Sequence, residues 1–497
     1  MSKLLEVSAI SLAQLIRDGR VSPLEVVDAH IARMEEVNPQ LNAVVVTRFA
    51  KAREEARHAG ERLHHDGPKP PLLGVPFTAK EFAAVAGMPH TGGVVSRREV
   101  IATEDATVVR RLRQAGAILL GLTNAPEGGL WHETHNRIYG RTNNPWDTDR
   151  TCGGSSGGEA AIIAAGGSPL GIGSDIGGSV RIPAAFCGIC AHKPTGRTIP
   201  STGHFPRAPH GRDIYPFTFG PMTRCVDDLM PLMKILAGPD GSDPNIVART
   251  FGDPQRVDPK KLVVYPVETN GRFKPNSAII RAIQRATRIL EQRGARVKEL
   301  DLAGMKRGFE IWAAILSEVG ETYAEIVSHP GGRATIGEVI RYLLGRSKHT
   351  GPVLTMLVAE GLLKKLPGRV EDMVYEAHQL RREFEETLGP NGVVLYPPFT
   401  RSAPRHRAIV FKLTDPECTA IFNILEAPVT VIPMGNERLE LPIGLQIAAR
   451  QGNDHLTIGV ARLLEEEVGR WRPVTPRSSQ PLLRLVRKQG PSTPQEV

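Results

Sequence analysis

Apolar positions along this 497-residue chain recur in two rhythms, and the rhythm switches at short, punctuated intervals. Leu24, Val27, Ile31 and Met34 fall at the spacing that lines one face of a helix. Ser22-Pro23-Leu24-Glu25 opens that helix: serine caps, proline takes the first helical position, and the glutamate closes a capping box. Asp105 is placed to cap "ATVVRRLRQAG", Gly116 stops it, and "AILLGLTN" follows as an apolar run of strand length. The succession repeats with helical "EAAIIAAG", strand "PLGIGSD", a helix around "VDDLMPLMKILAG", strand "KLVVYPV", and helix "SAIIRAIQRATRILEQRG" before "ARVKEL". No linker and no fixed repeat divides these units. The alternation predicts one large α/β domain over residues 1–475, a mostly parallel sheet covered by helices on both faces, followed by a loose tail at 476–497.

One segment departs from the alternation. From Ile336 to Leu366, two short helical patterns flank His349 to Pro352, and Leu354, Leu357, Val358, Leu362 and Leu366 crowd one helical face. A helical hairpin packed on the core is the ordinary outcome of such a pattern; a lid or a membrane-touching cap is the sharper one.

Composition narrows the class. The net charge of +9 would suit nucleic acid or an anionic surface, but Lys and Arg are scattered along periodic helices and no nucleic-acid module is present. A solvated basic surface follows, with no nucleic-acid partner. Five cysteines, an odd number in a long chain, fit a reduced compartment. Cys187 and Cys190 form a lone CxxC with no second pair, which reads as small core residues. Charge interrupts the N-terminus too early for a signal peptide, and no run of 18 apolar residues occurs; the expected location is the cytoplasm.

The candidate chemistry begins at "TCGGSSGGEA", residues 151–160. A phosphate loop would want lysine after the glycines, and Glu159 stands there instead. The stretch satisfies G-x-S-x-G literally, yet a second serine-bearing glycine loop, "GSDIGGSVRIPAAF" at 173–186, follows at once. Lys80 closes the apolar run of "LLGVPFTAKEF" before both. Two glycine-rich serines and one lysine suggest a triad without histidine. "WHETHN" places His132 and His135 beside Glu133 one residue short of a zinc motif, and His192, His204 and His210 stand downstream as rivals to the lysine.

These three ordered motifs, with "LPIGLQIAA" at 441–449, resemble the amidase signature family over nearly the whole chain. The resemblance implies a large twisted mixed sheet, mostly parallel and covered on both faces. It makes Ser179 the nucleophile, Ser155 a bridging serine on a cis peptide bond, and Lys80 the base. A serine hydroxyl needs a neighbour to take its proton, and lysine can do so only when burial lowers its pKa toward neutrality. The backbone N–H groups of Ile176, Gly177, Gly178 and Ser179 become the oxyanion hole, with Asp175 and Arg181 bracing the loop. Glu127 to Trp131 line the acyl side, so Gly128, Gly129 and Leu130 are the substrate contacts. No cofactor and no metal is implied.

Within the family the motifs are most similar to fatty acid amide hydrolases, without a counterpart of the N-terminal membrane anchor of the animal enzymes. The expected activity is hydrolysis of carboxylic amides, chiefly hydrophobic acyl amides, anilides or related esters and carbamates, through an acyl-enzyme. The expected partner is a small hydrophobic amide; reversible membrane contact and a homodimer are compatible with the sequence. The alternative is a glutaminase-type subunit of a tRNA-dependent amidotransferase, although Ile176 stands where those subunits usually carry Thr.

Overall fold

The computed structural model describes residues 2–208, 213–301, 303–318, 323–327, 336–363, 370–408, 417–436, 441–469, 471–478 and 495–496. Among them a 12-stranded sheet runs through the molecule. Its strands are β1 (Val44–Thr47), β2 (Pro76–Lys80), β3 (Ile118–Thr123), β4 (Leu170–Asp175), β5 (Cys190–Lys193) and β6 (Thr218–Thr223). The second half of the chain adds β7 (Val263–Pro266), β8 (Arg296–Val297), β9 (Gly392–Tyr396), β10 (Val429–Asn436), β11 (Pro442–Ala449) and β12 (Gln495–Glu496). Across the sheet the order is β8-β7-β9-β11-β10-β5-β6-β4-β2-β3-β1-β12.

The sheet is mixed. Strands pair in parallel around β7, around β2, and between β1 and β12. Antiparallel pairing from β4 to β9 joins the two parallel groups, and β1 runs antiparallel to β3. Parallel neighbours need a long crossover, and helices supply it.

In chain order the helices are α1 (Ala9–Arg17), α2 (Pro23–Leu41), α3 (Phe49–Leu63), α4 (Thr107–Gln114), α5 (Gly157–Ala164), α6 (Arg181–Cys187), α7 (Leu229–Leu236) and α8 (Ser277–Gln292). They continue with α9 (Gly308–Glu318), α10 (Tyr323–Val327), α11 (Ile336–Leu343), α12 (Gly351–Leu363), α13 (Val370–Leu388), α14 (Glu417–Ile424) and α15 (Asp454–Val468). Side chains of β3 divide between two cores, as in a strand covered on both faces, with a register shift against β2 that lets Leu119 and Leu122 share one. Leu119 and Leu122 join Leu112 of α4, Leu232 of α7 and Ile283 of α8. Ile118 and Leu120 join Ile31 of α2, Ile162 of α5 and Ala184 of α6.

The start of α2 behaves as its sequence predicts: Ser22 accepts from the Glu25 amide, and Glu25 accepts from the Ser22 amide. Asp105 does not. The cap position of α4 is Ala106, without a side-chain bond, because the Asp105 carboxylate accepts from the Ala86 amide and from Arg113 instead. Cys187 and Cys190 are buried free thiols inside the cores.

Within the 336–366 segment the described residues, 336–363, hold α11 and α12. Leu354 is buried and Leu357 packs on a small cluster of Val94, Phe205, Ile326, Val327 and Val353. That part of the expected apolar face is turned inward; Leu366 and the side chains of Val358 and Leu362 lie outside the described residues. The segment's exposed apolar surface is on α11 and the residue after it, where Ile340, Leu343 and Leu344 are 54%, 79% and 65% exposed. No helix of the described residues is long and apolar enough to cross a membrane.

Candidate active site

The site gathers where β2 and β4, neighbouring parallel strands, both end, the edge at which open α/β sheets bind ligands. Phe77 and Ala79 of β2 belong to one core, so Thr78 and Lys80 emerge on the opposite face, toward α5. Lys80 is fully buried at the end of the strand. Burial pulls its amine down to about 7, against the opposing charges of Asp175 and Glu159.

The glycine loop before α5 supplies the first serine. The Gly154–Ser155 peptide bond is cis. A side chain at Gly154 would bring its Cβ to 2.8 Å from the Trp131 carbonyl oxygen, so only glycine fits. Ser155 Oγ lies 2.6 Å from Lys80 Nζ, and Ser174 Oγ lies 3.0 Å from it. The amine also rests 4.3 Å from the centre of the Phe82 ring.

The loop from β4 to α6 supplies the second serine. The Ser156 N–H donates to the Ser179 carbonyl at 3.0 Å and ties the two serine loops together. Asp175 and Arg181, both without solvent exposure, form two hydrogen bonds of 2.9 and 3.0 Å beneath the loop. Burial works against the Asp175 carboxylate, but the charge and hydrogen bonds of Arg181 outweigh it and hold the group below its ordinary range. This is the bracing role expected of the pair.

Of the four expected oxyanion amides, one is otherwise engaged. The Gly178 N–H donates to Asp175 Oδ1 at 2.7 Å. Gly178 is needed for its backbone: its φ is +116°, and an added Cβ would meet Thr419 Oγ1 at 2.3 Å. The amides of Ile176, Gly177 and Ser179 donate to no group among the described residues. Trp312 Nε1 and Thr419 Oγ1 hold the carbonyls of Ile176 and Gly177 at 2.7 and 2.6 Å. Since N–H and C=O lie on opposite sides of a trans peptide, the Gly177 N–H points away from Trp312.

Gly128, Gly129 and Leu130 stand beside this centre. Gly129 faces the Phe82 ring, Gly128 faces Ile326, and Leu130 packs on the small cluster under α12. Glu127, fully buried, accepts from His349 Nδ1 and the Thr350 N–H, both at 2.7 Å, and so ties this turn to the start of α12.

Neither His192 nor His204 hydrogen-bonds Ser155 or Ser179. His192 is buried between Asp454 and Thr430. His204 reaches Ser174, and His210 lies outside the described residues. Glu133 of "WHETHN" accepts from His406 Nδ1 and the Arg407 N–H, and burial holds His135 down at about 4.

Four groups around Lys80 and the oxyanion loop were given no such place by the sequence reading. Ser174 lies inside the same motif as Ser179, and its place at the end of β4 was the available signal. Glu159, buried and pushed up to about 8, accepts from the hydroxyls of Thr78 and Thr123. His204 stood in the sequence only as a rival base and nothing marked Trp312, since each arrives from a separate part of the chain.

The sequence profile of the family described as Amidase matches residues 25–458. This chain belongs to the amidase family. It is a hydrolase of amide C–N bonds, and its mixed sheet with helices on both faces is the family's fold. Fatty-acid amide hydrolase 2-B of Danio rerio is 38% identical over 94% of this amidase and 90% of its own length. The acylamidase of Rhodococcus erythropolis is 33% identical, covering 95% of this chain and 97% of that one. Among solved structures, 6-aminohexanoate cyclic dimer hydrolase matches with a TM-score of 0.78 at 27% identity, over 94% of this chain and 99% of that one.

Proposed function

We propose that this amidase cleaves hydrophobic acyl amides, anilides or related esters and carbamates through an acyl-enzyme on Ser179. The observation that carries the reading is Lys80: a fully buried amine near neutrality with Ser155 Oγ at 2.6 Å. Neutral Lys80 takes the Ser155 proton as Ser155 takes that of Ser179, and Ser179 Oγ attacks the substrate carbonyl. Charge forming on the carbonyl oxygen is met by the amides of Ile176, Gly177 and Ser179. The proton returns through Ser155 to the leaving nitrogen as the C–N bond breaks. Water then uses the same relay to release the acid and restore the serine.

The hydrophobic preference is supported by the surroundings of the acyl side, where Leu130 packs with Val94, Phe205 and Ile326, and by relatives named as fatty-acid amide hydrolase and acylamidase. Exposed Ile340, Leu343 and Leu344 stand beside exposed Arg341, Arg346 and Lys348, a combination suited to reversible contact with an anionic lipid surface.

The test is a series of acyl amides and p-nitroanilides of increasing chain length, read with fluorophosphonate labelling. The expected result is labelling of Ser179 alone and a kcat/KM that climbs with acyl length until the acyl side of the site is full, each buried methylene contributing about 0.8 kcal/mol. Labelling at Ser155 would overturn the assignment of the nucleophile. A flat response to acyl length, or a preference for glutamine, would overturn the substrate class.

A further inference from the structure

His204 has no part in the relay above, yet its ring closes the shell of Lys80. Its Nδ1 lies 2.6 Å from the Pro206 carbonyl oxygen, which can only accept, so Nδ1 carries the ring proton. Burial, with the nearby charge of Lys80, keeps the ring neutral. Nε2 is then a lone pair, and the group 2.9 Å from it is Ser174 Oγ. The Ser174 hydroxyl must donate to it. That turns the proton of Ser174 away from the lysine and leaves a serine lone pair facing Nζ at 3.0 Å.

The consequence falls on the amine. Neutral lysine has two N–H bonds and one lone pair. With one N–H fixed on Ser174, the lone pair is free to face Ser155 Oγ. We propose that His204 is a positioning residue for amide hydrolysis, orienting the Lys80 amine through Ser174 so that its lone pair meets Ser155. The inference rests on the reading of Lys80 as the base.

The fold holds the ring for this. The Phe205 N–H donates to the Phe82 carbonyl and the Ala84 N–H to the Gly203 carbonyl, both at 2.9 Å, which pairs His204 with the continuation of β2 beyond Lys80. The ring sits among Phe82, Phe217 and Phe219, and Phe219 is the partner of Ser174 in the β4–β6 register.

The test compares His204→Phe, which keeps an aromatic ring without the acceptor, with His204→Gln, whose amide oxygen can take the place of Nε2. The readouts are kcat and KM on octanoyl p-nitroanilide, the rate of Ser179 phosphonylation by a fluorophosphonate, each against pH, and Tm. With the acceptor gone, Ser174 turns its proton onto the lysine lone pair. That favours the neutral amine but occupies the lone pair Ser155 needs. The phenylalanine variant is therefore expected to lose about 10- to 100-fold in kcat with little change in KM, and its acid limb to move to lower pH. His204→Gln recovers most of the rate. Ser174→Ala lowers the rate as well, and adding His204→Phe to it costs nothing more, because the mediator is already absent.

An unchanged rate and limb in His204→Phe, or an equal loss with and without Ser174, would overturn the positioning role. So would a glutamine variant as slow as a stable phenylalanine variant. Lys80→Ala separates the two readings. If it stays active, the base assignment fails; if it is dead while His204→Phe is normal, only the role of His204 fails.

Discussion

The ends of β2 and β4 and the α11–α12 segment treat apolar surface in opposite ways. At the strand ends a lysine, an aspartate, a glutamate and an arginine are all buried, and each has a partner on a neighbouring element. On α11, leucine and isoleucine side chains stand in solvent. Burial at the first region changes chemistry, since it moves the lysine amine by desolvation; exposure at the second leaves surface that only another phase or molecule could cover. Under the proposed function, reactivity and substrate access belong to separate parts of one chain, and variants should separate them.

The largest effects belong to the buried region. Ser179→Ala is expected to lower kcat by about 10⁶-fold, as loss of a nucleophile does, while the fold survives. Lys80→Ala should cost about 10²- to 10⁴-fold, the range for a lost general base. Steady-state kinetics with a circular dichroism check of folding measures both. Either variant retaining full rate would move the chemistry away from this region.

Asp175→Asn tests the bracing beneath the oxyanion loop. It leaves Arg181 buried without its countercharge, and removing one partner of a buried pair costs about 3 to 5 kcal/mol. Denaturant unfolding should show that loss, with a fall in kcat as the Gly178 loop relaxes. A variant as stable as wild type would mean that Asn423 and Gln446, which also bond Arg181, suffice.

The pH dependence follows from the direction of the lysine shift. Desolvation lowers the amine from 10.5 to about 7, and the neutral form is the base, so kcat/KM should rise with pH through about 7 and level off above it. A limb that appears only near 10 would mean that the amine is not desolvated as its burial implies.

How much of this was legible in sequence differs between the two regions for a physical reason. Lys80, Ser155 and Ser179 stand in glycine-rich or apolar runs whose local chemistry already restricts what they can do. Long-range partners leave no such trace. The Gly178 amide is taken by Asp175 once the loop folds back, Asp105 is drawn from its helix cap by Ala86 and Arg113, and His204 meets Ser174 only because both flank the same sheet edge. The α11–α12 segment was left open between core packing and a cap for the same reason. Leu354 and Leu357 have helical spacing, but whether Leu357 faces solvent depends on Val94, Phe205 and Ile326, which come from far away in the chain. The helical pattern identified a face without saying what would lie against it.

The smallest effect on stability should come from Leu343→Asp, and it sharpens the comparison most. Leu343 is 79% exposed, so the substitution should change unfolding free energy by no more than about 0.5 kcal/mol. Leu354→Asp, at 6% exposed, buries a charge and should lower Tm strongly. If α11 touches lipid, transfer of one leucine contributes about 1.5 to 3 kcal/mol, so Leu343→Asp should weaken binding to anionic vesicles by about tenfold or more. Hydrolysis of a soluble short-chain anilide should stay at the wild-type rate, while a long-chain amide presented in those vesicles slows. Co-sedimentation with vesicles of anionic and of zwitterionic lipid provides the measurement. If wild type ignores both, lipid is not what covers α11; if wild type is a dimer that Leu343→Asp converts to monomer, a second copy of this chain is.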